Sequence, residues 1–297
     1  MARRPRRRLA ALLTAAALAA CSPAGGATTG TTVTVTTGAV GPATSTTMPA
    51  TTTTTLPVTG TTVVNEVDAE VIVPEGAGPF PAVVLVHGGG WVTGSPSSMR
   101  PLARHLNENG YLTVNTRYRL SSRSTPGFPE AIEDVACAAR FAATHPDSDG
   151  SVTVVGHSAG AHIAAVVALN GDDHLWACPI RGGSGLPQRF VGLAGPYDVS
   201  RLGSVLSMFF GSSQTDDPES WLAGNPLELV DGNPDLEALI MYGENDGLIA
   251  DLFAVEFHER LLEAGADSLL ELVEGARHNE MDDPELVGDL IVTWLKR

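Results

Sequence analysis

Cysteine is scarce in this 297-residue chain, with three in all, which excludes both a disulfide-scaffolded small domain and a multi-cysteine zinc or iron–sulfur centre. Cationic side chains are also few. Of 18 Lys and Arg residues, Arg3, Arg4, Arg6, Arg7 and Arg8 crowd the start, leaving 13 basic against 34 acidic groups. Such a surface repels phosphate backbones, and this excludes a nucleic acid as partner, because that affinity comes mostly from cationic contacts. The N-terminal apolar run, Leu9 to Ala20, is too short to cross the roughly 30 Å core of a bilayer as a helix. Charged residues are missing altogether from 22–65, a stretch dominated by Thr with Gly, Ala and Pro. It has no amphipathic period with which to bury a face, so nothing offsets its ordering entropy.

These absences divide the chain into three parts. Residues 1–20, a cationic start followed by an apolar core, read as an export signal that is removed. The boundary sequence Leu18-Ala19-Ala20-Cys21 resembles the lipobox of bacterial lipoproteins, in which the cysteine is diacylated and becomes the mature N-terminus; the alternative is an ordinary secretory signal with a cysteine near the cut. The resemblance implies lipidation at Cys21 and export to the outer side of the cell membrane. Residues 21–62 then form a Thr-rich tether with an end-to-end distance of about 35 Å, carrying a folded domain over 63–297.

Within 63–297 short apolar runs alternate with helical patterns. Residues 63–73 read as an opening pair of strands, and 82–86, 112–115, 152–155, 190–193, 239–242 and 269–273 as buried strands. Helices are predicted over 98–109, 129–144, 159–170, 250–264 and 284–295. Continuous Val, Ile and Leu strands between amphipathic helices imply an α/β fold with a mainly parallel sheet and helices on both faces. The stretch 201–235 breaks this alternation and carries Met208, Phe209, Phe210, Trp221 and Leu222, which suits either a wall over a pocket or ordinary core packing.

The chemistry-bearing residues sit at strand ends. Gly156-His157-Ser158-Ala159-Gly160 lies between the strand 152–155 and the helix 159–170, the context of a nucleophile elbow that thrusts the Ser158 hydroxyl over the sheet. A serine hydroxyl is a weak nucleophile, so it needs a base and a carboxylate behind that base. Asp246, just beyond 239–242, is the candidate carboxylate, and His278, just beyond 269–273, is the candidate base. Their order, Ser158, Asp246, His278, is that of the hydrolase class built on this elbow. Among the competitors, His162, His105, His258, His145 and His174 read as packing or surface residues, Glu244 as solvated, and Asp282 and Asp283 as charges near the start of the last helix. His87-Gly88-Gly89-Gly90-Trp91 follows 82–86; its bare amides, with that of Ala159, suit an oxyanion, and His87 reads as structural. A phosphate cradle is the rival reading, but the segment lacks a P-loop pattern.

Together with Tyr118-Arg119-Leu120 and Phe128-Pro129 leading to Asp134, these motifs resemble bacterial α/β-hydrolases of the hormone-sensitive-lipase-like and BD-FAE-like carboxylesterase group over 63–297. The resemblance implies an α/β-hydrolase fold and hydrolysis of a small ester through an acyl-enzyme. It places the oxyanion donors at Gly89, Gly90 and Ala159, with Trp91 as an alternative to either glycine. No metal or organic cofactor is expected. Amide or formamide hydrolysis, feruloyl- or acetyl-ester cleavage, and a catalytically idle binding protein are the alternatives. The chain departs from larger lipase-like members in lacking a long helical N-terminal cap, which points to short acyl groups. With Cys21 lipidated, Cys137 and Cys178 remain as the expected disulfide of an exported domain.

Overall fold

Val83, Val84, Leu85 and Val86 are all fully buried, which a strand achieves only when both faces of its sheet are covered. In the computed structural model, which describes residues 62–64 and 67–297, they belong to β3 (Phe80–Val86). The export signal 1–20, Cys21 and the tether up to residue 61 lie outside the described residues. The chain enters through β1 (Thr62–Val64), one residue before the boundary read from composition, and β2 (Ala69–Ile72). After β3 come α1 (Arg100–Glu108), β4 (Leu112–Thr116), α2 (Glu130–Thr144), β5 (Ser148–His157), α3 (Ala159–Asn170) and β6 (Arg189–Leu193). Two short helices, α4 (Ser207–Phe210) and α5 (Pro218–Ala223), precede β7 (Glu237–Gly243), α6 (Asp251–Ala264), β8 (Asp267–Val273) and α7 (Pro284–Leu295).

The eight strands form one sheet in the order β1-β2-β4-β3-β5-β6-β7-β8, antiparallel at β1-β2 and β2-β4 and parallel from β4 onward. Alternation along β3 sends Ala82, Val84 and Val86 into the core shared with α2, α3 and α6, while Val83 and Leu85 meet α1 and α7. Helix α3 is buried nearly all round, so its small residues (Ala161, Ala164, Ala165, Ala168) let it lie tightly on the sheet. No described helix is long and apolar enough to cross a membrane.

Helices α3 and α7 begin and end where periodicity puts them. Helix α1 starts later, because Pro96-Ser97-Ser98 closes a 3₁₀ turn before it. Strand β5 starts earlier than its apolar run, at Ser148, which pairs with Phe80 ahead of a register irregularity. The segment 201–235 divides its bulky residues: Phe209, Phe210 and Trp221 are core, stacked on one another or edge to face, whereas Met208 and Leu222 are exposed. Cys137 of α2 and Cys178 are joined as a disulfide, S–S 1.98 Å.

Candidate active site

Parallel strands deliver their C-terminal ends to one edge of the sheet, and the singled-out residues gather there. Ser158, between β5 and α3, has φ +53° and ψ −121°, strained for any residue with a side chain. The turn is held by Ser158 N–H donating to Leu193 O at 2.8 Å and by the Ala161 and His162 amides donating to Ser158 O. Its flanking glycines are obligatory for space: a Cβ on Gly160 would run into the carbonyl oxygens of Val86 and His87, and one on Gly156 into Gly160 O.

His278, buried midway along the loop between β8 and α7, places Nε2 2.9 Å from Ser158 Oγ and Nδ1 2.8 Å from Asp246 Oδ2. The other carboxylate oxygen of Asp246 accepts from the Leu248 and Ile249 amides, at 2.9 Å each. Burial disfavours the Asp246 charge, but the His278 hydrogen bond and those two amides outweigh it, so the carboxyl is held below its ordinary range. An ionised Asp246 accepts the Nδ1 proton, and Nε2 is left with a lone pair facing the Ser158 hydroxyl. The two loops are braced against each other: Asn245 N–H donates to Ala276 O, Asn245 Nδ2 donates to Gly275 O, and Gly275 N–H donates to Glu244 Oε2 at 2.9 Å. Glu244 is exposed, as its place before the turn implies, and it also has this bracing bond.

The glycine loop lies against the elbow. A Cβ on Gly88 would sit 3.3 Å from Ser158 Cβ, and the space beside the Gly90 Cα is open. Gly89, Gly90 and Trp91 all have positive φ, and their amides, like that of Ala159, make no hydrogen bond within the described residues. His87 is buried and stacked on Tyr118 with ring centres 4.4 Å apart, and Tyr118 Oη donates to His87 O. Trp91 meets His162 and Phe209, so the 201–235 segment backs the glycine loop. Among the competitors, Asp283 caps α7 by accepting from the Glu285 amide. Asp282 does not simply face solvent at the helix start: its Oδ2 turns back to 3.7 Å from Nδ1 of His157, a residue that sequence reasoning passed over. A separate hollow of about 460 Å³ beside Tyr118, Arg119, Glu133 and the Cys137–Cys178 bridge contains none of the Ser158 cluster. There Arg119 pairs with Asp134 and Glu133, joining two of the quoted motifs. No three His, Cys, Asp or Glu side chains among the described residues are grouped to hold a metal.

The family model BD-FAE matches residues 70–261, from β2 into α6 and across the elbow. The chain belongs to the BD-FAE family. This BD-FAE chain is 27% identical over 186 residues to the probable carboxylic ester hydrolase LipM of Mycobacterium tuberculosis, covering 58% of this chain and 42% of that protein. It is 26% identical over 199 residues to the esterase LipQ of the same organism, covering 63% and 47%. It thus spans less than half the length of these two relatives. In fold it is similar to a truncated carbohydrate esterase from gut microbiota, with TM-score 0.66 and 18% identity over 77% of this chain and 90% of that one. The esterase Est2 of Thermogutta terrifontis gives TM-score 0.61 and 21% identity over 79% and 89%. The architecture is therefore the α/β-hydrolase fold.

Proposed function

We propose that this chain hydrolyses carboxylic esters of short acyl groups through an acyl-enzyme on Ser158. The observation that carries the reading is the unbroken chain from Ser158 Oγ to His278 Nε2 (2.9 Å) and from His278 Nδ1 to Asp246 Oδ2 (2.8 Å), beside amides that make no hydrogen bond within the described residues. Family membership and relatives named as ester hydrolases support the substrate class.

Ser158 Oγ attacks the ester carbonyl while its proton passes to His278 Nε2, and ionised Asp246 stabilises the resulting imidazolium. The carbonyl oxygen, now anionic, takes hydrogen bonds from the amides of Gly89, Gly90 and Ala159, with Trp91 N–H the alternative to either glycine; one such donor contributes about 3 kcal/mol to the transition state. His278 returns the proton to the departing alkoxide, and water, deprotonated by the same nitrogen, releases the acid. Buried Phe209 packs on Trp91 of the glycine loop, and this pair is read as the wall that limits acyl length. A panel of p-nitrophenyl esters from two to sixteen carbons, with Ser158→Ala as the blank, tests this: kcat/KM highest at two to six carbons is expected, and highest at twelve or beyond overturns it.

The same proposal includes the cell-surface setting: export, lipidation at Cys21 and attachment to the membrane by that anchor. Support comes from the sequence Leu18-Ala19-Ala20-Cys21 and the uncharged stretch behind it. Labelling with a fatty acid that is lost in Cys21→Ser, along with retention in the membrane fraction, is the expected result. Unlabelled protein free in the medium overturns it.

A further inference from the structure

One buried histidine at the site has no part in the proton relay. His157 ends β5, directly before Ser158, and is 6% exposed. Its Nε2 lies 2.9 Å from His278 O. A carbonyl only accepts, so Nε2 carries a proton and donates. On the other side of the ring, Nδ1 is 3.7 Å from Asp282 Oδ2, and a Cβ on Gly88 would come within 3.0 Å of that same nitrogen. A single imidazole therefore touches the glycine loop, the elbow and the loop that carries the base.

We propose that His157 is a positioning residue for His278: its Nε2–H fixes the backbone of the base loop so that His278 Nε2 stays on Ser158 Oγ. The inference rests on the reading of Ser158 and His278 as nucleophile and base. Asp246 restrains the His278 ring through one nitrogen and leaves its backbone alone. On the N-terminal side of His278 the loop is tied by Glu244 and Asn245 at Gly275 and Ala276. At His278 itself the backbone's tie to the elbow is the hydrogen bond from His157 Nε2 to His278 O. Removing it leaves the His278 backbone without a bond to the elbow, and a base displaced by about 1 Å loses on the order of 100-fold in rate. Burial also lowers the His157 pKa, with Asp282 and Asp246 acting against it and His278 with it. The ring is thereby disfavoured from carrying a second positive charge beside the imidazolium that forms on His278.

The test uses the full chain with p-nitrophenyl acetate as substrate and a fluorophosphonate to count reactive serines, comparing wild type, His157→Leu, His157→Phe and His157→Gln. Glutamine can place an N–H near the position of Nε2. Expected for His157→Leu is a fall in kcat per labelled site of about 10- to 100-fold with KM within about twofold. His157→Gln recovers most of that loss, because its amide N–H restores the bond to His278 O, and His157→Phe, a ring with no donor, does not. Unchanged kcat per labelled site in His157→Leu, with only fewer labelled sites or a lower melting temperature, assigns the ring to packing and overturns the proposal. Should His157→Leu not fold, unchanged kcat per site in His157→Phe overturns it instead. A folded wild-type chain that neither turns over ester nor labels at Ser158 overturns the hydrolase reading, and this inference with it, before any variant is compared.

Discussion

The Trp91 indole N–H donates to Nδ1 of His162, at 3.1 Å, tying the glycine loop to the helix that starts directly after Ser158. On the far side of the same ring, Nε2 donates to Gly224 O at 2.8 Å. Nδ1 must therefore be unprotonated and Nε2 protonated, so His162 is neutral and its tautomer is set by its two partners.

Full burial pulls the His162 pKa from 6.5 to about 4, against a smaller opposing effect of the Gly224 carbonyl. The unfolded chain then binds the extra proton, so the contribution of His162 is complete above pH 6.5 and is lost as the pH falls toward 4. That loss amounts to about 3 kcal/mol. Urea unfolding at pH 7.5, 5.5 and 4.5 is expected to show the decline in wild type and a shallower one in His162→Gln, which does not titrate.

Gly160→Ala puts a methyl group against the Val86 and His87 carbonyl oxygens, both of them backbone atoms with little freedom to move. The expected cost is about 3 kcal/mol or more, together with loss of turnover, since relief of the clash shifts the elbow or the glycine loop. Wild-type melting temperature and activity in this variant would contradict the elbow geometry.

Asp246→Asn retains the shape of the carboxyl but offers His278 Nδ1 a different partner set, favouring the tautomer that points a proton at Ser158 Oγ. A fall in kcat of about 10⁴-fold is expected, close to that of Ser158→Ala, with the Leu248 and Ile249 contacts preserved by the remaining amide oxygen. Kinetics at fixed pH, with circular dichroism to verify folding, measures it.

Phe209 is 1% exposed and packs on Trp91, Phe128, His162 and Phe210. Phe209→Ala is expected to cost about 3–5 kcal/mol of stability and to move the chain-length optimum toward longer acyl groups by opening the wall behind the glycine loop. An unchanged chain-length profile in a folded variant would remove Phe209 from the acyl-binding wall.

The Cys137–Cys178 bridge closes a separation of 41 residues, for which loss of chain entropy in the unfolded state corresponds to about 4 kcal/mol. Cys137→Ala with Cys178→Ala is expected to lower the unfolding free energy by about 2–4 kcal/mol, and a non-reducing digest of wild type to yield the linked peptide pair. Two free thiols per unfolded, unreduced molecule would contradict the pairing.

Much of this molecule is legible in its sequence because the signals are local. The run Val83–Val86 specifies a strand covered on both faces, the pattern Gly156-His157-Ser158-Ala159-Gly160 specifies a sharp turn that tolerates no Cβ at its flanks, and Asp246 and His278 announce themselves by following strands. Even the order of the three polar residues is a property of the chain alone. What tertiary structure decided is which distant atoms meet. The contact of His157 with His278 spans 121 positions, and that of Trp91 with His162 spans 71. Neither carries a periodic signature, because each depends on how the crossovers order β3, β5 and the strands beyond them. Asp282 reads as a helix-start charge from its neighbours in sequence, yet it turns inward to His157. The segment 201–235 has no regular period to read, and its division into buried Phe209, Phe210 and Trp221 and exposed Met208 and Leu222 follows from the surface against which it folds. Backbone conformation and burial period are set within a few residues, whereas the partner of a buried polar side chain is set by whatever the assembled fold brings within about 3 Å of it.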